Sequence, residues 1–88
     1  MEIVVQKSFE KDISAVTDKK LAAQILTMIE QLEICKSLSE INHVKKMKVK
    51  GDYYRIRIGN YRLGLKLGDK KIFLLRFMHR KDIYNYFP

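Results

Sequence analysis

The chain has 88 residues, and its 18 Lys and Arg outnumber its 10 Asp and Glu to give a net charge of +8. This length allows one domain with a small core, and 47% hydrophobic residues are too many for a disordered chain. No apolar run approaches the roughly 18 residues that cross a bilayer, and Cys35 is the only cysteine, so we expect a single cytoplasmic domain over residues 1–88 with no membrane partner.

The N-terminal half predicts one strand followed by two helices. Three consecutive β-branched residues, Ile3 to Val5, predict a short strand over residues 2–6. Ser8 can cap a first helix, since apolar residues follow it at helical spacing: Phe9, Ile13 and Val16. A second helix is predicted over residues 19–36, capped by Thr17 or Asp18. Its apolar stripe consists of Leu21, Ile25, Met28, Ile29, Leu32 and Cys35.

After a polar connection over residues 37–44, the hydrophobic period changes to two. Alternation in residues 53–58, a turn at Gly59-Asn60 and alternation in residues 61–67 predict a β-hairpin. A third strand is predicted from Ile72 to Met78, where Phe73, Leu75 and Phe77 are expected on one face and Arg76 on the other.

These elements predict an α+β domain of order β-α-α-β-β-β with a short C-terminal tail. The antiparallel strands are expected to pack one face on the helical hairpin, and the first strand is expected to pair near the last. The opposite face of the sheet would then be open to a ligand.

Positive charge is concentrated in the second half of the chain. Residues 1–44 carry 5 basic and 7 acidic residues, whereas residues 45–88 carry 13 basic and 3 acidic residues. A solubilising surface usually mixes both signs, so this imbalance favours a polyanionic partner. Nucleic acid, an acidic protein or acidic lipid would each satisfy it.

Strand alternation predicts where these cations gather. If the leucines and isoleucines face the helices, five cations share the open face: Arg55, Arg57, Arg62, Lys66 and Arg76. Arginine holds phosphate oxygens in a planar, bidentate grip, which suits a phosphate chain. The alternative is a set of ordinary solvated strand positions. The lysine run before the hairpin, which includes Lys48 and Lys50, is predicted to flank the cluster and touch phosphates.

The tail after the last strand supplies groups that can move protons. Cutting RNA through its 2′-hydroxyl requires a base and an acid, and arginine serves poorly as either because it stays protonated. His79, Tyr84 and Tyr86 are the nearby candidates. His79 could equally end the strand and bond a backbone carbonyl, and Phe87 is predicted to anchor the tail. His43 has no apparent role. Two histidines, one cysteine and scattered acids form no metal-ligand pattern, so no metal or cofactor is expected.

The segment from Tyr53 to Leu63, together with the ending His79-Arg80-Lys81-Asp82-Ile83-Tyr84, resembles the RelE/ParE toxin superfamily. This resemblance implies a toxin of a type II toxin–antitoxin pair that cleaves mRNA in the ribosomal A site. It also implies a cognate antitoxin, with operator DNA bound only through the antitoxin complex. Arg62 and Arg80 match the family's catalytic arginines, and Tyr84 or Tyr86 its C-terminal tyrosine. Arg55 and Arg57 stand where some members carry lysines, which moves proton transfer to His79 or a tyrosine.

The leading hypothesis is therefore a metal-independent, ribosome-dependent endoribonuclease. Its catalytic residues would be Arg62, Arg80, His79, Tyr84 and Tyr86, and its RNA contacts Arg55, Arg57, Lys48, Lys50, Lys66, Arg76 and Lys81. Two alternatives remain: a ParE-like inhibitor of DNA gyrase, and a non-catalytic RNA-binding relative.

Overall fold

The computed structural model describes residues 1–88 as five strands and three helices. In chain order these are β1 (Glu2–Val5), α1 (Lys7–Ser14), α2 (Lys19–Ile34), β2 (Val44–Lys46), β3 (Tyr53–Ile58), β4 (Tyr61–Gly68), β5 (Lys71–His79) and α3 (Ile83–Tyr86), with one 3₁₀ turn over Leu38–Glu40 before β2. No helix is both long and apolar enough to cross a membrane.

All five strands form one sheet in the order β1-β5-β4-β3-β2. The predicted α+β architecture is confirmed, and so is the pairing of the first strand with the last. Two details differ. β1 pairs with β5 in parallel, so the sheet is mixed, and β2 adds an edge strand that pairs antiparallel with β3. The sequence does not reveal β2 because its three residues include two exposed lysines.

The two long helices begin in different ways. Of the two predicted caps of α2, Asp18 is the one that forms, since its Oδ1 accepts hydrogen bonds from the backbone N–H groups of Lys20 (2.9 Å) and Leu21 (3.2 Å). The predicted Ser8 cap of α1 is wrong. α1 begins at Lys7, with Gln6 before it, and the Ser8 hydroxyl instead donates to the carbonyl oxygen of Leu75 at 2.6 Å. Ser8 therefore ties α1 to β5.

The core lies between the helices and one face of the sheet. The α2 stripe contributes buried Ile25 and Leu32, and Phe9 of α1 is completely buried beside them. The sheet contributes alternate residues of its three central strands: Ile56, Ile58, Leu63, Leu65, Ile72, Leu74 and Phe77. Each such side chain contributes about 1.5–3 kcal/mol through burial, which fixes the register of the hairpin.

A bulge in β5 changes which residues face the core. Leu65 pairs with Leu74 and Gly64 pairs with Arg76, so Leu75 has no partner on β4. The predicted common face for Phe73, Leu75 and Phe77 is therefore wrong. Beyond the bulge the alternation shifts by one, and Phe77 joins Ile72 and Leu74 in the core.

Arg76, beside this bulge, is bound by α1. Its Nε donates to Asp12 Oδ2 at 2.8 Å, and its Nη2 donates to Asp12 Oδ1 at 3.2 Å. Asp12 Oδ2 also accepts from the backbone N–H of Phe77 at 2.9 Å. One carboxylate thus holds α1 against the bulged strand.

The sheet face away from the long helices is partly covered by the C-terminal segment. Ile83 of α3 is completely buried and Phe87 is 3% exposed, which confirms the predicted anchor. Phe87 lies over Gly64, where an added Cβ would be 2.9 Å from its ring, and it meets the Tyr53 ring edge-on at 5.8 Å. Residues 83–87 therefore form a strap across the face that the sequence predicts to be open.

Replacing Asp12 with Ala should lower the free energy of unfolding by about 2 kcal/mol, because Arg76 and the Phe77 N–H lose their shared acceptor. Urea unfolding measures this change. Asp52→Ala is the control, since its 3.5 Å ion pair with Lys46 is exposed and should contribute only about 0.3 kcal/mol. Equal losses in the two variants would contradict the role given to Asp12.

Replacing Phe87 with Ala should lower the free energy of unfolding by about 2 kcal/mol, less than for an enclosed core phenylalanine because a terminal segment can give way. Amide exchange in residues 83–87 should also accelerate, since the Phe87 N–H to Ile83 carbonyl bond of 2.9 Å depends on the anchor. Unchanged exchange would show that the strap is held by Ile83 alone.

Candidate functional site

Three arginines lie side by side at one end of the β3–β4 hairpin. Arg57 pairs directly with Arg62 across the hairpin, and Arg55 lies two residues from Arg57 on the same strand face. Like charges directly opposite each other destabilise an antiparallel pair, so this arrangement lowers the stability of the fold. We therefore infer that these arginines have a role other than stabilising the sheet.

Arg80 joins these three side chains from the end of β5. Its backbone N–H donates to the carbonyl oxygen of Asn60 at 2.8 Å, which ties the chain after β5 to the hairpin turn. Arg57, Arg62 and Arg80 line one groove, and Arg55, Arg57 and Arg62 line the adjoining one. We call Arg55, Arg57, Arg62 and Arg80 the arginine cluster.

Arg62 is the member of the cluster whose guanidinium group is held by backbone carbonyls. Its Nη1 donates to two backbone carbonyl oxygens, those of Gly59 at 3.1 Å and Tyr61 at 2.9 Å. Gly59 allows this approach because it adopts a left-handed conformation with φ of 59° in the turn. No carboxylate neutralises Arg62, so the three N–H donors on its Nε and Nη2 are available to a ligand.

The cluster has unbalanced positive charge. Burial lowers the pKa of Arg62 below its ordinary value, and repulsion from Arg55, Arg57 and Arg80 lowers it further. Tyr84 opposes this shift. Neither adjoining groove is lined by Asp or Glu. The site therefore favours an anion with several oxygens, such as a phosphate.

The strap brings one of the two predicted tyrosines to the cluster. Arg55 Cζ lies 4.5 Å from the centroid of the Tyr84 ring, a cation–π contact, while the ring remains 66% exposed. Tyr86 is also exposed but makes no such contact with the arginines. The structure thus separates two tyrosines that are equivalent candidates in the sequence.

Two cations expected in the cluster lie elsewhere. Arg76 pairs with Gly64 in line with Arg55, so its place on that sheet face agrees with the prediction, but its guanidinium group is bound to Asp12 and does not join the cluster. Lys66 lies four residues beyond Arg62 on β4, about 13 Å along the strand, and rests 5.4 Å from the Tyr53 ring centroid. Phe87, above Gly64, lies between Lys66 and Arg62, so the expected single cluster of five is wrong for both side chains.

His79 lies on the other face of the sheet from Arg62. It pairs with Tyr61, whose ring it meets edge-on at 5.4 Å, while Arg62 pairs with Met78. Its Nδ1 accepts from the Lys81 N–H at 3.2 Å. This geometry fits the alternative in which His79 ends the strand, although its ring bonds a backbone N–H and not the expected carbonyl.

His43 is the site residue that sequence reasoning misses. Its Nδ1 lies 2.9 Å from Arg57 Nη2, and it lines both grooves beside the cluster. It precedes β2, a strand the sequence does not predict, and comes next to Arg57 only through the β2–β3 pairing. No local pattern around His43 indicates this position.

The remaining predicted contacts lie around the cluster. Lys48 lines a shallow groove with Lys45, Arg55 and Tyr84. Lys50 and Lys81 are exposed in loops. On the other side of the cluster, the polar face of α2 lines the first groove through Lys20, Gln24, Thr27 and Gln31. A path bordered by cations and polar side chains thus passes the arginine cluster on both sides.

Comparison with known proteins gives consistent results. The family model described as "ParE toxin of type II toxin-antitoxin system, parDE" matches residues 3–84. Toxin RelE3 of Methanocaldococcus jannaschii is 38% identical over 89 residues, which cover 100% of both chains. In the crystal structure of a RelB-RelE antitoxin-toxin complex from Methanococcus jannaschii, one chain is 38% identical with a TM-score of 0.82, over 97% of this chain and 99% of that one. A chain of the archaeal RelE-RelB complex from Pyrococcus horikoshii OT3 is 25% identical with a TM-score of 0.74, over 90% of this chain and 93% of that one.

The full-length match to a RelE toxin, the family model that spans almost the whole chain and the shared fold agree with one another. This chain belongs to the RelE/ParE family of toxins from type II toxin–antitoxin systems.

Proposed function

We propose that this toxin is an endoribonuclease that cleaves mRNA in the ribosomal A site. The observation that carries the proposal is the arginine cluster: four guanidinium groups at one end of a hairpin, with no carboxylate among them. The attacking group would be the RNA's own 2′-hydroxyl, so the protein would need to bind the phosphate, stabilise its developing charge and move two protons.

The cluster suits the second of these tasks. As the 2′-oxygen attacks, negative charge grows on the phosphoryl oxygens, and preformed donors aimed at that charge stabilise the transition state. Arg62 is already fixed by two backbone carbonyls and offers its remaining donors without reorganisation. Guanidinium groups supply the positive charge, so the proposed reaction uses no metal ion.

Tyr84 is the proposed acid for the departing 5′-oxygen. Its contact with Arg55 holds the ring at the cluster, and a phenol hydroxyl can donate a proton that arginine cannot readily give up. Its exposed ring could also stack on an RNA base. Tyr86 lacks this position and is not assigned a role in the chemistry.

The RNA is proposed to follow the charged path beside the cluster. Lysines of the β2–β3 connection, including Lys48 and Lys50, would contact flanking phosphates or ribosomal RNA, and Lys81 would do so from the other side. Binding that rests on many phosphate contacts weakens steeply with salt. The site is small and exposed, so it cannot fix the geometry of the RNA alone. The ribosome would hold the mRNA in the extended geometry that cleavage needs.

A cognate antitoxin is the proposed inhibitory partner. The related archaeal toxins are solved as complexes with RelB. An acidic segment that covers the arginine cluster would relieve its repulsion and exclude RNA at once. Contact with operator DNA is proposed only for that complex.

Inhibition of DNA gyrase is the second candidate function, because the matching family model carries the ParE description. The arginine cluster favours the nuclease, since a gyrase inhibitor requires no phosphate-binding site with an adjacent tyrosine. A supercoiling assay separates the two: gyrase inhibition without RNA cleavage would support the ParE-like function.

Arg62→Ala should lower cleavage of a translated mRNA by about 100-fold or more, because a preformed donor to the phosphoryl oxygens is lost. The assay is primer extension on mRNA from a purified translation system. Lys71→Ala is the control, since it removes the same charge at the far end of β5 and should leave cleavage unchanged. An active Arg62→Ala variant would refute the proposed site.

Tyr84→Phe should lower single-turnover cleavage by about 100-fold, since the ring and its contact with Arg55 remain while the hydroxyl is lost. Tyr86→Phe should have a much smaller effect. The same assay measures both, and a larger loss in Tyr86→Phe would reverse the assignment of the acid.

A further inference from the structure

One side chain beside the arginine cluster, that of His43, has no role in the function proposed above. His43 is exposed, and it is held by Arg57 at two points. Its carbonyl oxygen accepts from the Arg57 N–H at 3.2 Å, and its Nδ1 lies 2.9 Å from Arg57 Nη2. Its backbone is in the left-handed region with φ of 64°, a conformation that is uncommon outside glycine and is often found at functional sites.

The contact with Arg57 determines which imidazole nitrogen carries the proton. A guanidinium group has only N–H donors, so Arg57 donates and His43 Nδ1 accepts. The neutral ring then carries its hydrogen on Nε2. A doubly protonated ring would present an N–H to the guanidinium N–H, so the observed contact requires a free lone pair on Nδ1. This lone pair is directed at the cluster.

The charged side chains around His43 are all cationic. The charged groups that share its two grooves are Lys20 from α2, Lys45 from β2, Arg55 and Arg57 from β3, Arg62 from β4, and Arg80 after β5. No carboxylate lines either groove, so no acidic side chain competes with His43 as a proton acceptor. A bound phosphate would bring the negative charge that an imidazolium ion requires beside it.

We propose that His43 is the general base of the cleavage reaction, taking the proton from the attacking 2′-hydroxyl at its Nδ1 atom. This inference rests on the nuclease function proposed above. Position decides between the candidates. The arginines cannot accept a proton, and His79 lies on the opposite face of the sheet, whereas the Nδ1 of His43 lies beside the cluster, where a shift of Arg57 would free it.

The proposed reaction would then proceed in the following order. The arriving phosphate draws the Arg57 guanidinium to its oxygens and frees His43 Nδ1. Nδ1 takes the 2′-hydroxyl proton as the 2′-oxygen bonds to phosphorus, and the bond from phosphorus to the 5′-oxygen breaks. The 5′-oxygen takes a proton from Tyr84, which regains one from water, while His43 releases its proton to water. The products are a 2′,3′-cyclic phosphate and a 5′-hydroxyl end.

Two substitutions at His43 test the proposal. His43→Gln keeps an acceptor for Arg57 but cannot take up a proton, so single-turnover cleavage on the ribosome should fall by about 100-fold or more. The acid limb of its pH–rate profile should disappear, whereas binding of the variant to ribosomes should stay within about twofold. His43→Gly suits the left-handed backbone, and added imidazole should restore part of its activity.

His79→Gln is the matched control, because it replaces the other histidine in the same way and should retain the wild-type pH profile. Circular dichroism and urea unfolding check that each variant is folded. Cleavage by His43→Gln at the wild-type rate would overturn the proposal. Loss of activity with an unchanged pH profile in His43→Gln and no imidazole rescue of His43→Gly would overturn it too, because His43 would then only position Arg57.

The result for the wild-type protein separates this inference from the function on which it rests. Absence of cleavage by the wild-type toxin would refute the proposed nuclease function, and the assignment of His43 as its general base would fall with it. Independently of activity, nitrogen-15 NMR of the free protein should show His43 with its hydrogen on Nε2. A hydrogen on Nδ1 would refute the hydrogen-bond assignment from which the proposal starts.

Discussion

The fold holds several guanidinium groups close together although they repel one another. Pairing of β3 with β4 sets Arg57 opposite Arg62, and the bond from the Arg80 N–H to Asn60 adds a further guanidinium group. The register cannot slip to separate them, because a shift of one residue would move Ile56 and Leu63 out of the core. Burial on one face of the hairpin thus maintains unfavourable charge on the other, and an anionic ligand would recover that cost on binding.

Two contacts adapt the fold to this arrangement. On β5, the bulge at Leu75 and the Asp12 carboxylate take Arg76 away from the cluster, which would otherwise repel a fifth guanidinium group. On the sheet face away from the long helices, Phe87 fits over Gly64, and the same segment carries Tyr84 to Arg55. The face predicted to be open is therefore divided: a hydrophobic strap covers its middle, the arginine cluster lies at the hairpin turn, and Lys66 lies beyond the strap.

The sequence predicts those features that depend on short-range patterns. The α2 stripe, the Asp18 cap, the hairpin turn at Gly59-Asn60 and the Phe87 anchor are all visible as periodicity or residue type. The features it misses depend on contacts between distant segments. The bulge at Leu75 cannot be predicted from the residue pattern, because the residues from Phe73 to Phe77 fit a regular strand equally well. Nothing near His43 in the sequence indicates that a neighbouring strand will deliver Arg57 to its ring.

The charged groups and the proposed proton-transfer groups of the site come from different parts of the fold. The charge comes mainly from the paired strands β3 and β4, where register fixes each arginine. The groups able to move protons, His43 and Tyr84, come from the connection before β2 and from a four-residue helix, both outside the central strands. The side chains of His43 and Tyr84 are exposed, so replacing them removes no core contact, and the proposed acid and base could change while the phosphate site persists. Such a division explains physically how one scaffold can hold a nuclease and, with altered peripheral segments, a binding protein that cuts nothing.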